Sequence, residues 1–373
     1  MSRKSVIILK SHLSKLGGLE KQTLRISQEF GSQGCRVTIL TNGPFADVVL
    51  PSGVEVVNVG TTPKMSYAHI RKFDQLCQDW ISKNPGEVIF GVERNTGVTH
   101  YRAGNGVHAE YLAKRFQTDS FLKRFSFRWN PMHRAILQIE KETYEDGRLQ
   151  KLFTNSEMVK QEILQYYQVN PEKIEVIHNG VEWNELEVPF QQWCSMPRKS
   201  APYHFLFVGN GYQRKGLEYI LKALGQIKSD SFQLSVVGKE KKLSYFQNLT
   251  QTLGLDNQVT FYGSQKNLIP FYHKADALLI PSLYDPFANV TVEALAMGLQ
   301  VVSSSFNGGK EVLNEETGVV ISDLFDQDSI VCSLDKVMRE RKSVESARRC
   351  RKSVKHLTFE NQLKKMVAHT LQE

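Results

Sequence analysis

No run of 18 or more apolar residues occurs in this 373-residue chain, so no segment reads as a membrane-spanning helix. Cysteine is scarce. Its five positions (Cys35, Cys77, Cys194, Cys332, Cys350) are scattered, odd in number and without metal-ligand spacing. That argues against a disulfide scaffold or a zinc site and points to free thiols in a reducing cytoplasm. The opening MSRKSVIILK has an apolar run of only four, too short for a signal peptide and suited to a first buried strand. The three-glycine dinucleotide fingerprint is also missing, which weakens a nicotinamide reading. Acidic residues are the minority charge, 39 against 47 Lys and Arg, for a net +8. The excess points towards nucleotides, nucleic acid or acidic lipid headgroups without choosing among them. What is present, 41% hydrophobic and 23% charged residues, is the balance of a soluble globular protein, and the length favours two domains.

Strand-like and helix-like segments alternate along the first half. VIIL (6–9), RVTIL (36–40), EVIFG (87–91), KLFTNS (151–156) and the start of IEVIHNGV (174–181) read as strands, and LEKQTLRISQEF (19–30) as an amphipathic helix. Between about 182 and 203 the chain holds three prolines and no sustained helical face, so it is expected as an interdomain connection. The rhythm restarts with HFLFVGN (204–210) and a helix from about Lys215. It continues through QLSVVG (233–238), VTFYG (259–263), ALLIPS (277–282) and QVVSSS (300–305). The expected class is α/β, with two doubly wound parallel sheets meeting at a cleft. Expected boundaries are a first domain at 1–183, a linker at 184–203, a second domain at 204–350 and a closing helix at 351–373 that packs back on the first domain. In such sheets ligands bind beyond the carboxyl ends of the strands, so the following loops carry the chemistry.

Four loops stand out. VGNGYQRKGLEYI (208–220) sets Arg214 and Lys215 at the start of a helix, where the dipole disfavours cations unless an anion lies between. The alternative is an exposed basic turn. SHLSKLGGLEK (11–21) places Gly17 and Gly18 before the first helix, either for close approach of a phosphate or as loop punctuation. RAGNGVHAEYL (102–112) carries His108 after a Gly-Asn-Gly turn, and a lone histidine is more often structural. IPSLYDPFANVTVEALAMGLQVV (280–302) holds Asp285 before a short apolar helix and Glu293 within it, where a charge is costly without a partner.

Taken in order, KLGGLEK, HNGV, VGNGYQRKG and PSLYDPFANVTVEALAMG resemble the retaining glycosyltransferase family of the GT-B fold, two Rossmann-like domains facing a cleft. The first domain is most similar to the bacterial lipopolysaccharide core glucosyltransferases around HYRAGNGVHAEYLAKRF and FTNSEMVKQEI. The resemblance implies that Arg214 and Lys215 neutralise a sugar-nucleotide diphosphate in place of a metal, so neither cofactor nor metal is expected. It implies that Glu293 accepts hydrogen bonds from the ribose hydroxyls. Asp285 would hold the sugar, assisted by the amides of Phe287, Ala288 and Asn289. Gly17 and Gly18 would admit the diphosphate, and His108 would lie near the transferring sugar. The base would pack near Gly238, Lys239 and Tyr262–Gly263 through backbone groups. Asp285 stands where the family usually has glutamate, a difference that bears on the donor sugar. In NGGKEV (307–312) the family pattern returns at altered spacing, and Glu311 receives no role.

The implied reaction moves a hexose, glucose by default, from a UDP sugar to a glycolipid, with retention by front-face attack. Rival readings are a GT-B epimerase and a non-catalytic binder of anionic lipid or nucleic acid. Residues 110–134 interleave Lys114, Arg115, Lys123, Arg124 and Arg128 with bulky rings including Phe125 and Trp129. That mixture suits an anionic membrane surface, stacking on single-stranded nucleic acid, or a solvated cationic face over core aromatics. The resemblance favours the membrane, placing the protein peripherally on the inner face of a bacterial cytoplasmic membrane with no nucleic-acid partner. RRCRKSVKH (348–356) reads first as a solvated face and second as a membrane or phosphate contact.

Overall fold

The structure is a computed structural model that describes residues 3–13, 18–43, 45, 49–62, 66–118, 127, 129–196, 202–227 and 232–372. Gly17, Lys123, Arg124, Phe125 and Arg128 lie outside these residues. The chain forms two compact units, residues 1–178 with 362–373, and residues 179–361. The final helix thus leaves the second unit, and its end belongs to the first: Lys4 Nζ donates to the carbonyl of Leu371 at 3.1 Å.

The first unit holds seven strands: β1 Ser5–Leu9, β2 Arg36–Thr41, β3 Val54–Asn58, β4 Val88–Gly91, β5 His100–Arg102, β6 Lys151–Thr154 and β7 Ile174–Val176. They run parallel in the order β3-β2-β1-β4-β5-β6-β7. The second holds β8 Tyr203–Val208, β9 Phe232–Val237, β10 Val259–Gly263, β11 Ala277–Ile280, β12 Gln300–Ser304 and β13 Gly318–Ile321. Their order is β10-β9-β8-β11-β12-β13, again parallel. Both sheets reverse their winding beside the first strand, between β1 and β4 and between β8 and β11.

Continuous apolar runs form these central strands because both faces are covered. Side chains alternate across the pleat. On one face Phe205 and Phe207 join Leu279 and Val302, while Leu206 on the other joins Leu278, Ile280 and Val301.

Residues 184–203 correct the expected linker. Trp183–Ser195 is a helix, and its buried Leu186, Phe190 and Trp193 stand four and three apart on one face. Pro189 lies inside this helix and removes one amide donor, which hid the face from a reading by prolines. Its carbonyl bonds the ring Nε2 of His273 at 2.9 Å. The strands β3, β5 and β13 were not expected either: β3 and β13 are only partly buried, and β5 sets a single Tyr101 between His100 and Arg102.

Candidate functional site

In the second unit, the loops after β8, β9, β11 and β12 assemble at the carboxyl ends of the strands, beside the winding reversal. Two of them cross closely. The amide of Gly209 donates to Val237 O at 2.9 Å, that of Gly211 to Lys239 O at 2.9 Å, and that of Lys239 to Asn210 Oδ1 at 2.7 Å. Gly238 has φ +140°, and a Cβ there would lie 2.0 Å from Gly209 O, so only glycine permits the crossing. Tyr212, fully buried, donates its hydroxyl to Gly238 O at 2.8 Å and locks the pair.

Lys215 is held by this arrangement. Its stem lies over Gly209, where a Cβ would come within 3.0 Å of Cγ. Its Nζ donates to Asp285 Oδ2, and Lys215 and Asp285 are only 9% and 7% exposed. Gly216, φ +75°, then turns the chain into helix Leu217–Leu224, which begins two residues later than expected. Arg214 is exposed, with Nη1 reaching Tyr284 O at 3.3 Å. A buried, neutralised cation thus sits beside an exposed one.

Asp285 is fixed by its backbone: its amide donates to Phe306 O at 3.0 Å, and its carbonyl accepts from Gly308 at 2.9 Å. Asn307, fully buried, supports the same loop. Its Oδ1 accepts from the amides of Gly309 at 3.0 Å and Ala288 at 3.2 Å, while Nδ2 donates to Ser303 Oγ at 3.0 Å. The Ala288 amide therefore has an acceptor within the protein. Phe287 is buried, and exposed Asn289 accepts from Asn179 Nδ2 at 2.7 Å, so the HNGV turn holds the start of this helix.

Glu293 has a partner within its own unit. The buried Tyr272 hydroxyl donates to Oε2 at 2.8 Å, and Tyr272 is anchored in turn by Lys342, whose Nζ donates to its carbonyl at 2.9 Å. Burial raises the Glu293 carboxyl above its ordinary value, and the Tyr272 hydrogen bond opposes that rise. Oε1 makes no hydrogen bond among the described residues. Of the backbone groups at Gly238 and Lys239, both amides donate within the protein, the first to Gly263 O at 2.8 Å. Their carbonyls keep a second lone pair.

The first unit places His108 at the start of helix His108–Thr118. Its amide donates to both oxygens of Glu140, at 3.1 and 3.0 Å, and its Nε2 lies 3.0 Å from His133 Nδ1. Burial pulls the imidazole down to about 3, with Arg94 and His133 adding to the effect, so it is neutral at neutral pH. Gly18 opens helix Gly18–Ser32. Lys10, at the end of β1, is 2% exposed, with Nζ on Glu93 Oε1 and 3.3 Å from Glu20 Oε1. Of the basic-aromatic stretch, Lys114 pairs with Glu110 at 3.1 Å, Arg115 stands over the Phe127 ring at 4.6 Å, and Trp129 is 70% exposed.

Asn307, Tyr272 and Glu140 went unnoticed in the sequence. Only Asn307 left a signal there, the turn in NGGKEV. Among the described residues no group of three His, Cys, Asp or Glu is arranged to hold a metal, and no helix is long and apolar enough to cross a membrane.

Known proteins resemble this chain along most of its length. Residues 16–184 match the family described as Glycosyltransferase Family 4, and residues 195–357 match Glycosyl transferases group 1. An uncharacterized glycosyltransferase, MJ1607 of Methanocaldococcus jannaschii, is 26% identical over 344 residues, 87% of this chain and 86% of the relative. Lipopolysaccharide glucosyltransferase WaaG of Escherichia coli is 23% identical over 325 residues, 84% of each. A crystal structure of WaaG superposes with TM-score 0.77 at 22% identity, covering 99% of this chain and all of the other. Anabaena HepE in complex with UDP-glucose superposes with TM-score 0.65 at 14% identity, covering 99% of each chain. At those identities the superpositions establish the fold.

Proposed function

The chain belongs to the group 1 glycosyltransferases of the GT-B fold, and on that premise we propose that it transfers a hexose, glucose by default, from a UDP sugar to a lipid-linked saccharide such as lipopolysaccharide core, with retention of the anomeric configuration. The observation that carries the reading is the Lys215–Asp285 pair with Arg214 beside it, in the loops after β8 and β11. Charge develops on the leaving β-phosphate, where the two cations stabilise it. No metal is invoked. Asp285, with its backbone pinned between Phe306 and Gly308, holds the hydroxyls of the sugar. Glu293 accepts from the ribose diol through Oε1, while Tyr272 keeps Oε2 in place.

His108, uncharged at neutral pH, suits contact with a sugar hydroxyl better than delivery of a proton. The leaving phosphate then assists deprotonation of the acceptor on the same face of the sugar. UDP-glucose is supported by what the relatives are: WaaG is named a glucosyltransferase, and HepE was crystallised with UDP-glucose. Exposed Trp129 and Phe116, close in sequence to Lys114 and Arg115, support contact with the inner face of an anionic membrane.

The test is a panel of nucleotide sugars, scored for thermal stabilisation and for transfer to a glycolipid acceptor, with the product anomer read by NMR. UDP-glucose should stabilise most and give an α product. An inverted anomer would refute retention. Interconversion of the free nucleotide sugar without transfer would refute the transferase reading.

A further inference from the structure

One basic concentration takes no part in the donor loops. Helix Val344–Ser353 carries Arg348, Arg351 and Lys352, and Lys355 follows it. Between this helix and Trp183–Ser195, within the second unit, lies a concavity of about 370 Å³. Its floor is rigid. Arg351, 7% exposed, stands 4.0 Å above the Trp183 ring and 4.6 Å from that of Phe190. Its guanidinium donates to Ala296 O and, at 2.7 Å, to Glu187 Oε2.

Three further cations rim the same concavity. Arg348, Lys352 and Lys355 are four and three residues apart, so they share one side, and all are exposed. Among the described residues none of the three makes an ion pair or a side-chain hydrogen bond. The helix dipole favours cations in the last turn, which accounts for Lys352 and Lys355. It does not account for Arg348 in mid-helix, four residues from another cation, where like charges repel. Four cations thus face one carboxylate, Glu187, and that carboxylate is already engaged by Arg351. Arg348 and Lys352 also line an adjoining concavity of about 400 Å³.

We infer that this groove binds a phosphate ester at a site separate from the donor loops. A phosphate carries up to two negative charges and three strong acceptor oxygens, enough to engage Arg348, Lys352 and Lys355 together. A carboxylate offers only two oxygens and one charge. Trp183, whose ring Arg351 covers, and Phe190 form the floor beneath these cations. The ester can belong to a soluble molecule or to a lipid headgroup, and the two sources are separable by experiment.

The experiment compares the full chain with an Arg348→Ala, Lys352→Ala, Lys355→Ala triple variant and an Arg348→Glu single variant. Glycerol 3-phosphate is titrated calorimetrically, and flotation is measured with vesicles of phosphatidylglycerol and phosphatidylcholine. Residues 110–134 stay intact throughout, so any difference reports the groove. The triple variant should lose vesicle affinity by about fivefold per cation, on the order of a hundredfold in all, or lose glycerol 3-phosphate binding by about tenfold or more. Loss with vesicles alone identifies a lipid headgroup, and loss with glycerol phosphate identifies a soluble ester. Arg348→Glu should weaken the same probe. Wild-type protein that binds neither probe, or variants that bind both as wild type does, would overturn the assignment.

Discussion

Replacing Glu140 by glutamine probes the buried cluster that holds His108. Glu140 is 3% exposed and accepts from the His108 amide and, at 2.8 Å, from the Tyr167 hydroxyl. Burial pushes its carboxyl from 4.5 up to about 7, against the opposing pull of Arg94 and these hydrogen bonds. Between those values the folded protein keeps a proton that the unfolded chain has released. Stability from this group is therefore complete below about pH 4.5 and is lost as pH rises towards 7. The gap corresponds to about 3 kcal/mol. His108 works in the opposite direction. Its folded value of about 3 lies below the ordinary 6.5, so across that window the unfolded chain binds the extra proton and stability rises with pH.

The two slopes overlap between pH 4.5 and 6.5, where they cancel in the wild type. Glutamine keeps an acceptor for the His108 amide but cannot ionise. Urea denaturation of Glu140→Gln should show stability climbing more steeply from pH 4.5 to 6.5 than in the wild type. At pH 8 the variant should be more stable by about 1–3 kcal/mol. A variant that follows the wild-type pH dependence in parallel, or is less stable at pH 8, would refute the buried-charge reasoning.

Tyr272→Phe removes only the hydroxyl on Glu293, so the Glu293 carboxyl should titrate still higher. Donor KM should rise about tenfold with kcat retained, within the range of one hydrogen bond to a charged group, and the acidic limb of the activity profile should move to higher pH. Gly238→Ala forces a Cβ to within 2.0 Å of Gly209 O at φ +140°. Strain alone is worth about 1–3 kcal/mol, and overlap adds to it, so a thermal melt should fall well below wild type. Lys215→Met leaves Asp285 buried and unpaired, which should cost about 3–5 kcal/mol in urea and abolish turnover. A loss under 1 kcal/mol would mean that the pair is not buried as described.

The parallel sheets were legible because uninterrupted apolar runs recur at β1, β4, β8 and β11, and short apolar stretches at β2 and β9, each covered on both faces. β5, with three residues, and the half-exposed edge strand β3 carry too little pattern to read. Pro189 masked a helix whose stability comes from packing of Phe190 and Trp193 rather than from propensity. Charged residues in awkward places, Lys215 at a helix start and Glu293 among apolar neighbours, marked the two positions that the fold pairs with Asp285 and Tyr272. Their partners were only partly legible. The Lys215–Asp285 contact joins residues 70 apart, and the Tyr272–Glu293 contact depends on how the helix Ile269–Lys274 lies against its neighbours. Spacing in sequence carries no trace of such pairings. The same holds for Gly238 and Lys239, whose amides donate to Gly263 O and to Asn210 Oδ1, partners 25 and 29 residues away in the chain.

Affinity for UDP, measured by titration calorimetry on the wild type and on Glu293→Ala, tests the donor site most directly. The wild type should bind UDP, and the variant should bind at least tenfold more weakly while its circular dichroism and urea midpoint show the fold intact. Equal affinity in the two proteins would contradict the placement of the nucleotide sugar at the loops after β8 and β11.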